Sequence, residues 1–246
     1  MPTRPEKWFV PLESNPHVFT ELAYKLGARS VAFHDVYSID EPELLQFLPK
    51  PVLAFVMIMP FKTPAYQQGK VQEESERAAN GVSEEEQAAV KDVLWFKQTI
   101  RNACGFYALL HSVVNARQSI HFERDSVFDK LLASTQMVPK DEYPRLLEES
   151  DELENAYKSV ACTGDTVAPN AEDEVDFYYT AFVNCGGNLV ELDGDRGSGP
   201  VLRAKLAPED HMLSDSVLDV IRATLRVEKE GASAGLMALC VEEALY

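Results

Sequence analysis

Residues 97–111 read KQTIRNACGFYALLH, with a cysteine where a helix is predicted to begin and a glutamine six positions before it. A thiol at a helix N-terminus faces unpaired backbone N–H groups and the positive end of the helix dipole, and both favour thiolate over thiol. Acyl hydrolysis by a thiol also needs a donor for the tetrahedral oxyanion, and the side-chain amide of Gln98 supplies one on the segment leading into the helix. Loss of one such donor costs about 10²–10³ in kcat. Cys104 is therefore a candidate nucleophile and Gln98 a candidate oxyanion stabiliser, and the pair calls for a base to take the thiol proton. The competing reading is a small packed side chain, since free cysteine is among the most buried residue types.

Apolar spacing defines the elements that must hold these groups. Phe106, Leu109, Leu110, Val113 and Val114 predict a helix from about Cys104 to Asn115, buried on most sides, with Asn102 as its N-cap. Val52–Met59 is an apolar run bounded by prolines, which predicts a buried strand with helices covering both faces of its sheet. VDFYYTAFV and NLVELDG, joined through NCGG, predict a hairpin from Val175 to Leu192. Helical spacing recurs at Val18, Phe19, Leu22, Ala23 and Leu26, ahead of Gly27, and at Leu213, Val217, Val220, Ile221 and Leu225. VAFHDVYSID reads as extended, DEPELLQFLP as a short helix and AGLMALCVE as a final core strand. Residues 62–92 read as a solvated surface excursion with two short helical pieces, and residues 150–174 as a long loop of the kind that serves as a lid.

The chain has 246 residues, and 23 Lys and Arg against 40 Asp and Glu give a formal charge of −17. That balance argues against binding a nucleic-acid backbone and suits a cationic partner, with solubility alone as the competing explanation. Cys104, Cys162, Cys185 and Cys240 are widely spaced, with no metal-ligand pattern, and are expected to be reduced thiols. No apolar run is long enough to span a bilayer and the N-terminus carries no secretory pattern, so a soluble, intracellular chain forming one domain over 1–246 is expected.

Four stretches, WFVPLESNP, FKQTIRNACGFYALLH, VDFYYTAFV and ELDG, occur in an order and at separations that resemble the ubiquitin carboxyl-terminal hydrolase family, a group of papain-like cysteine hydrolases. The resemblance spans nearly the whole chain. It implies an α+β papain-like fold, with a central, mainly antiparallel sheet flanked by helices and a knotted backbone. By position it implies that Cys104 is the nucleophile, Gln98 the oxyanion donor and Asp193 the carboxylate that orients a histidine. In the family that histidine stands two residues after the aspartate matching Asp176 and fifteen before the one matching Asp193, a position held here by Tyr178.

The histidines are His17, His34, His111, His121 and His211, so none lies between 122 and 210. His111 sits seven residues past Cys104 on the same helix, about 10 Å along its axis and out of hydrogen-bond reach, and nothing in the sequence places the others beside the thiol. A phenol, with an unperturbed pKa near 10, does not take a thiol proton at neutral pH and carries no positive charge, though it can donate to a thiolate or to Asp193. The substitution implies a rate loss on the order of 10³-fold or more. An engineered change and a natural loss of the base both fit.

The resemblance further implies ubiquitin as substrate, cut after its C-terminal glycine to release small adducts or peptides, with no cofactor and no metal. It implies that residues about 150–174 cross over the active site, and the acidic AEDE at their end suits the basic tail of ubiquitin. A monomer is expected, with no membrane or nucleic-acid partner, located in the cytoplasm and also the nucleus. The alternative is a non-catalytic protein that binds ubiquitin to sequester or sense it.

Overall fold

The computed structural model describes residues 6–60, 64–173, 175–226 and 234–242. Strands β1 (Ala28–Arg29), β2 (Val31–Asp35) and β3 (Val52–Pro60) come from the first quarter of the chain and β4 (His121–Phe122) from its middle; β5 (Phe177–Cys185), β6 (Asn188–Leu192), β7 (Val201–Lys205) and β8 (Gly235–Val241) follow. Helices α1 (Pro16–Lys25), α2 (Pro42–Leu45), α3 (Pro64–Asn80) and α4 (Glu84–Ala89) precede α5 (Cys104–Asn115). After it come α6 (Val127–Thr135), α7 (Tyr143–Glu148), α8 (Asp151–Val160) and α9 (Asp215–Arg226).

The main sheet has six strands in the order β2-β8-β3-β5-β6-β7, and every pairing is antiparallel. The period-two alternation of β3 sends Ala54 and Val56 into one apolar cluster and Phe55, Met57 and Met59 into another. The first cluster takes the buried faces of α1, α5, α6, α7 and α8, and the second those of α9 and the segment around α2. Two-sided burial of Val52–Met59 thus gives the helix–sheet–helix layering that the sequence implies. In α5, Phe106, Leu109, Leu110, Val113 and Val114 are all fully buried, each contributing about 1.5–3 kcal/mol on transfer from water. The β5–β6 hairpin turns through Gly186 (φ 59°) and Gly187 (φ 79°), the pair of left-handed positions that its tight turn requires.

Two expectations fail. Residues 150–174 do not begin as a loop, because Ser150 caps α8 through a bond to the Leu153 N–H (3.2 Å) and Leu153, Tyr157 and Val160 bury one helical stripe; the irregular part begins only after Val160. Nor are residues 62–92 merely a solvated face. The first helical piece runs 17 residues, and its polar side chains meet partners from the β6–β7 side of the sheet. Arg196, 1% exposed, pairs with Glu73 (2.8 Å), Glu74 (3.3 Å) and Glu191 (3.1 Å), while Arg203 bridges Glu73 (2.7 Å) and Glu191 (2.5 Å). Arg77 adds bonds to Ser198 Oγ (2.8 Å), Pro200 O (3.0 Å) and Glu86 (2.5 Å). Burial costs each of these charges several kcal/mol, and the dense pairing offsets it.

Removing one member of such a cluster strands its partners. Arg196→Met is expected to destabilise the protein by about 3–5 kcal/mol, read as a lowered urea midpoint, because it leaves the buried Glu191 and the helix carboxylates short of a cation. An unchanged midpoint contradicts the assignment.

Candidate active site

Cys104 is the first residue of α5, at the end of the helix that packs on β5 and β3. A Cβ on Gly105 would stand 3.2 Å from Cβ of Leu12 and 3.3 Å from the ring of Tyr179, so glycine lets the first turn of α5 approach β5 closely. Asn102 does not cap the helix as expected. Its backbone is left-handed (φ 56°), Ala103 takes the cap position, and the Asn102 amide instead donates to the carbonyls of Ala171 and Asp173, both at 2.8 Å.

Gln98 is placed by the opposite end of the same helix. Asn115 clamps Leu94, accepting from its N–H at 2.9 Å and donating to its carbonyl at 2.8 Å. Nε2 of His111 accepts from the Phe96 N–H at 3.0 Å, and burial holds that imidazole down to about 3, so it is neutral and structural. From there the backbone N–H of Gln98 donates to the Gly194 carbonyl (2.8 Å) and Trp95 Nε1 to the Asp193 carbonyl (3.0 Å). A Cβ on Gly194 would lie 3.0 Å from Cβ of Gln98, so the glycine of ELDG is what permits this contact. The Gln98 amide donates to the Ile100 carbonyl at 3.2 Å, which orients it and uses one of its two N–H groups.

Gln98, Cys104, Tyr178 and Asp193, the four positions singled out from the sequence, line one cleft of about 540 Å³. Cys104 packs against both apolar clusters, one containing Tyr179 and the other Tyr178. Asp193 is 3% exposed; its Oδ1 accepts from the Asp195 N–H at 2.8 Å, and its Oδ2 is paired at 2.5 Å with Nζ of Lys70 from α3. Lys70 also meets Asp195 at 3.3 Å and lies 5.7 Å from the ring centre of Tyr178. Sequence reasoning missed this lysine. Its available signal was the spacing of Lys70, Glu73, Glu74 and Arg77, which share one helical face.

The electrostatics run against a resting thiolate. Burial pushes the Cys104 thiol up to about 11 and the Asp193 carboxylate adds to the rise, outweighing backbone hydrogen bonds from Tyr179 and Gly105 that favour the anion. The thiolate expected from the helix N-terminus is therefore not the ground state. Burial opposes the charge on Lys70, but Asp193 more than compensates, and the ammonium is held above its usual range. His17, His34, His121 and His211 do not line this cleft or the adjoining one.

The segment after α8 borders the site and is tied down twice. Glu13 accepts from the Thr166 N–H (2.9 Å), the Thr166 hydroxyl (2.6 Å) and the Asp165 N–H (3.2 Å), and Asn102 holds its far end. Glu172, Asp173 and Asp176 from this side line the cleft together with Asp193 and Asp195, the two carboxylates paired with Lys70. Glu174, the last acid of AEDE, lies outside the described residues. Among the described residues no cluster of three His, Cys, Asp or Glu side chains is arranged to hold a metal ion.

The family model described as ubiquitin carboxyl-terminal hydrolase, family 1, matches residues 9–226. The chain is 35% identical to the Saccharomyces cerevisiae ubiquitin carboxyl-terminal hydrolase YUH1 over 224 residues, covering 89% of this chain and 88% of that one. It is 33% identical to an Aplysia californica ubiquitin carboxyl-terminal hydrolase over 213 residues, covering 86% and 92%. Its fold is similar to the crystal structure of the Trichinella spiralis UCH37 catalytic domain bound to ubiquitin vinyl methyl ester, with a TM-score of 0.73, 97% of each chain covered and 19% identity. That likeness bears out the papain-like α+β architecture. A family match over most of the chain, with relatives above 30% identity along most of both lengths, shows that this protein belongs to the ubiquitin carboxyl-terminal hydrolase family 1.

Proposed function

We propose that this protein recognises ubiquitin and draws its C-terminal tail into the Cys104 cleft, as a cysteine-type deubiquitinase whose turnover is impaired by Tyr178 at the base position. The observation that carries the reading is the convergence of Gln98, Cys104, Tyr178 and Asp193 on one cleft. In the reaction, Sγ of Cys104 attacks the carbonyl carbon of the terminal glycine, the Gln98 amide donates to the oxyanion, and the C–N bond breaks as the leaving amine takes up a proton. Water then cleaves the thioester to release the carboxylate and the free thiol. The thiol proton has no imidazole to receive it. With a thiol near 11, the thiolate fraction at pH 7 is about 10⁻⁴.

Glu172, Asp173 and Asp176 complement a cationic tail, and the tethered segment after Val160, acting as a crossover, limits what can be attached to the ubiquitin. A second reading, a ubiquitin-binding protein without turnover, is favoured by the high thiol value and by the engagement of Asp193 with Lys70. The two readings share the binding step and differ at the bond-forming one.

Hydrolysis of a ubiquitin C-terminal fluorogenic amide is expected to be slow, on the order of 10³-fold or more below a complete triad, and Tyr178→His is expected to raise it at least about tenfold. No gain from that change, either alone or with the Lys70 ammonium that occupies Asp193 also removed, refutes the base-site assignment. Rapid labelling of Cys104 by an electrophilic ubiquitin probe excludes the binding-only reading, whereas tight ubiquitin binding with no adduct supports it. Alkylation of Cys104 by iodoacetamide, mapped by mass spectrometry apart from the exposed Cys162, is expected to rise about tenfold per pH unit between pH 7 and 10. A plateau near neutrality indicates a stabilised thiolate and contradicts the electrostatic account.

A further inference from the structure

Asp193 is the carboxylate that would orient a base at position 178, yet both its oxygens are already engaged. Oδ1 takes the Asp195 N–H at 2.8 Å and Oδ2 takes the Lys70 ammonium at 2.5 Å. Lys70 is not a loose surface lysine that strayed inward: its side chain is 11% exposed. Its helix is fastened three and four residues further on by Glu73 and Glu74 to Arg196, and seven further on by Arg77 to Ser198. The backbone that carries the ammonium is thus fixed by the buried ion cluster, and its side chain is held by Asp193 and Asp195.

We propose that Lys70 is a positioning residue that controls Asp193, so that the site is held off by two residues, Tyr178 and Lys70. This inference rests on the reading of Tyr178 as the occupant of the base position. The ammonium adds full ion-pair attraction to its hydrogen bond, which a neutral imidazole N–H lacks, so a neutral imidazole placed at 178 competes poorly with it for Oδ2. A protonated imidazole fares worse, because Nζ of Lys70 lies 5.7 Å from the centre of the present ring and two cations at that separation repel.

Lys70 does not stand in for the missing imidazolium either. Its charge is spent on Asp193 and Asp195, the Cys104 thiol stays protonated, and a firmly protonated lysine offers no lone pair to receive a proton. What it does supply is a permanent counter-ion for a carboxylate buried to 3% exposure.

The test compares Tyr178→His with the double variant Tyr178→His, Lys70→Met, using two readouts. The first is the titration of the introduced imidazole, followed by NMR. In the single variant it is expected below the ordinary value of about 6.5, and in the double variant above it, because Asp193 is then free to pair with it. The second is hydrolysis of a ubiquitin C-terminal fluorogenic amide, where the double variant is expected to exceed the single one at least about tenfold in kcat with a smaller change in KM.

Equal titration and equal kcat in the two variants overturn the proposal. Should the double variant fail to fold, Tyr178→His with Lys70→Gln takes its place: an imidazole that titrates alike with and without the ammonium overturns the proposal, and one that rises when the ammonium is removed supports it. Titration that shifts as expected while no variant binds or cleaves ubiquitin upholds the control of Asp193 by Lys70 and instead refutes the functional reading.

Discussion

Helix α5 is buried along nearly its whole length, so each polar group it carries must find a partner inside the molecule. Leaving one unpaired costs about 1–3 kcal/mol. Ser112 returns its hydroxyl to the Ala108 carbonyl at 2.8 Å, but His111 and Asn115 reach off the helix and take their partners from the Leu94–Phe96 backbone. That requirement fixes the segment carrying Gln98 against the helix carrying Cys104. The same segment then binds the Gly194 carbonyl, which brings the Asp193 turn into the unit. The Gln98 segment, the Asp193 turn and Cys104 are thus held together by hydrogen bonds anchored on one buried helix.

The same rule governs charge. A carboxylate as buried as Asp193 needs a cation, and an imidazole partner meets that need only while protonated. Lys70 meets it at all times. The pairing offsets part of the burial cost that holds the Asp193 carboxyl above its usual range, and under the proposed reading a fixed ammonium neutralises Asp193 without accepting the proton of Cys104. The arrangement is possible because α3 is anchored by the Arg196–Arg203 cluster, which extends from Glu73 and Glu74 to Glu191 on β6. Stability of that helix and the state of the site are therefore physically connected.

The parts of the fold legible in the sequence are those whose burial is apolar. Val52–Pro60, the hairpin through Gly186 and Gly187, α5, α9 and the last strand all carry periodicity that backbone geometry converts directly into an element. Helix α8 was obscured because three buried residues, Leu153, Tyr157 and Val160, are spread among acids, and β7 because VLRAK is too short and too charged to stand out. Helix α3 was visible as helix but not as a partner, since its inward face is Lys70, Glu73, Glu74 and Arg77, and a charged stripe looks the same facing water as facing opposite charges. For the site, Gln98, Cys104, Tyr178 and Asp193 were reachable through residue type and family frame, and all four line one cleft. The thiol's state was not reachable, because a helix N-terminus suggests an anion while burial and Asp193 decide for the neutral form.

Those magnitudes separate binding from turnover. Deprotonating a thiol near 11 at pH 7 costs about 5 kcal/mol, at 1.36 kcal/mol per pH unit, before any bond to substrate forms. A paired imidazole removes most of that cost by receiving the proton within the site, and a phenol does not. Under the proposed reading, Glu172, Asp173 and Asp176 and the segment tied to Glu13 and Asn102 contribute to recognition without reference to position 178. Binding energy gathered from such remote contacts acts on the ground state and the transition state alike, so losing the base leaves affinity in place while raising the chemical barrier. Under the proposed reading, Tyr178 and Lys70 therefore act on the rate of the bond-forming step, and the charge of the cleft acts on what enters it.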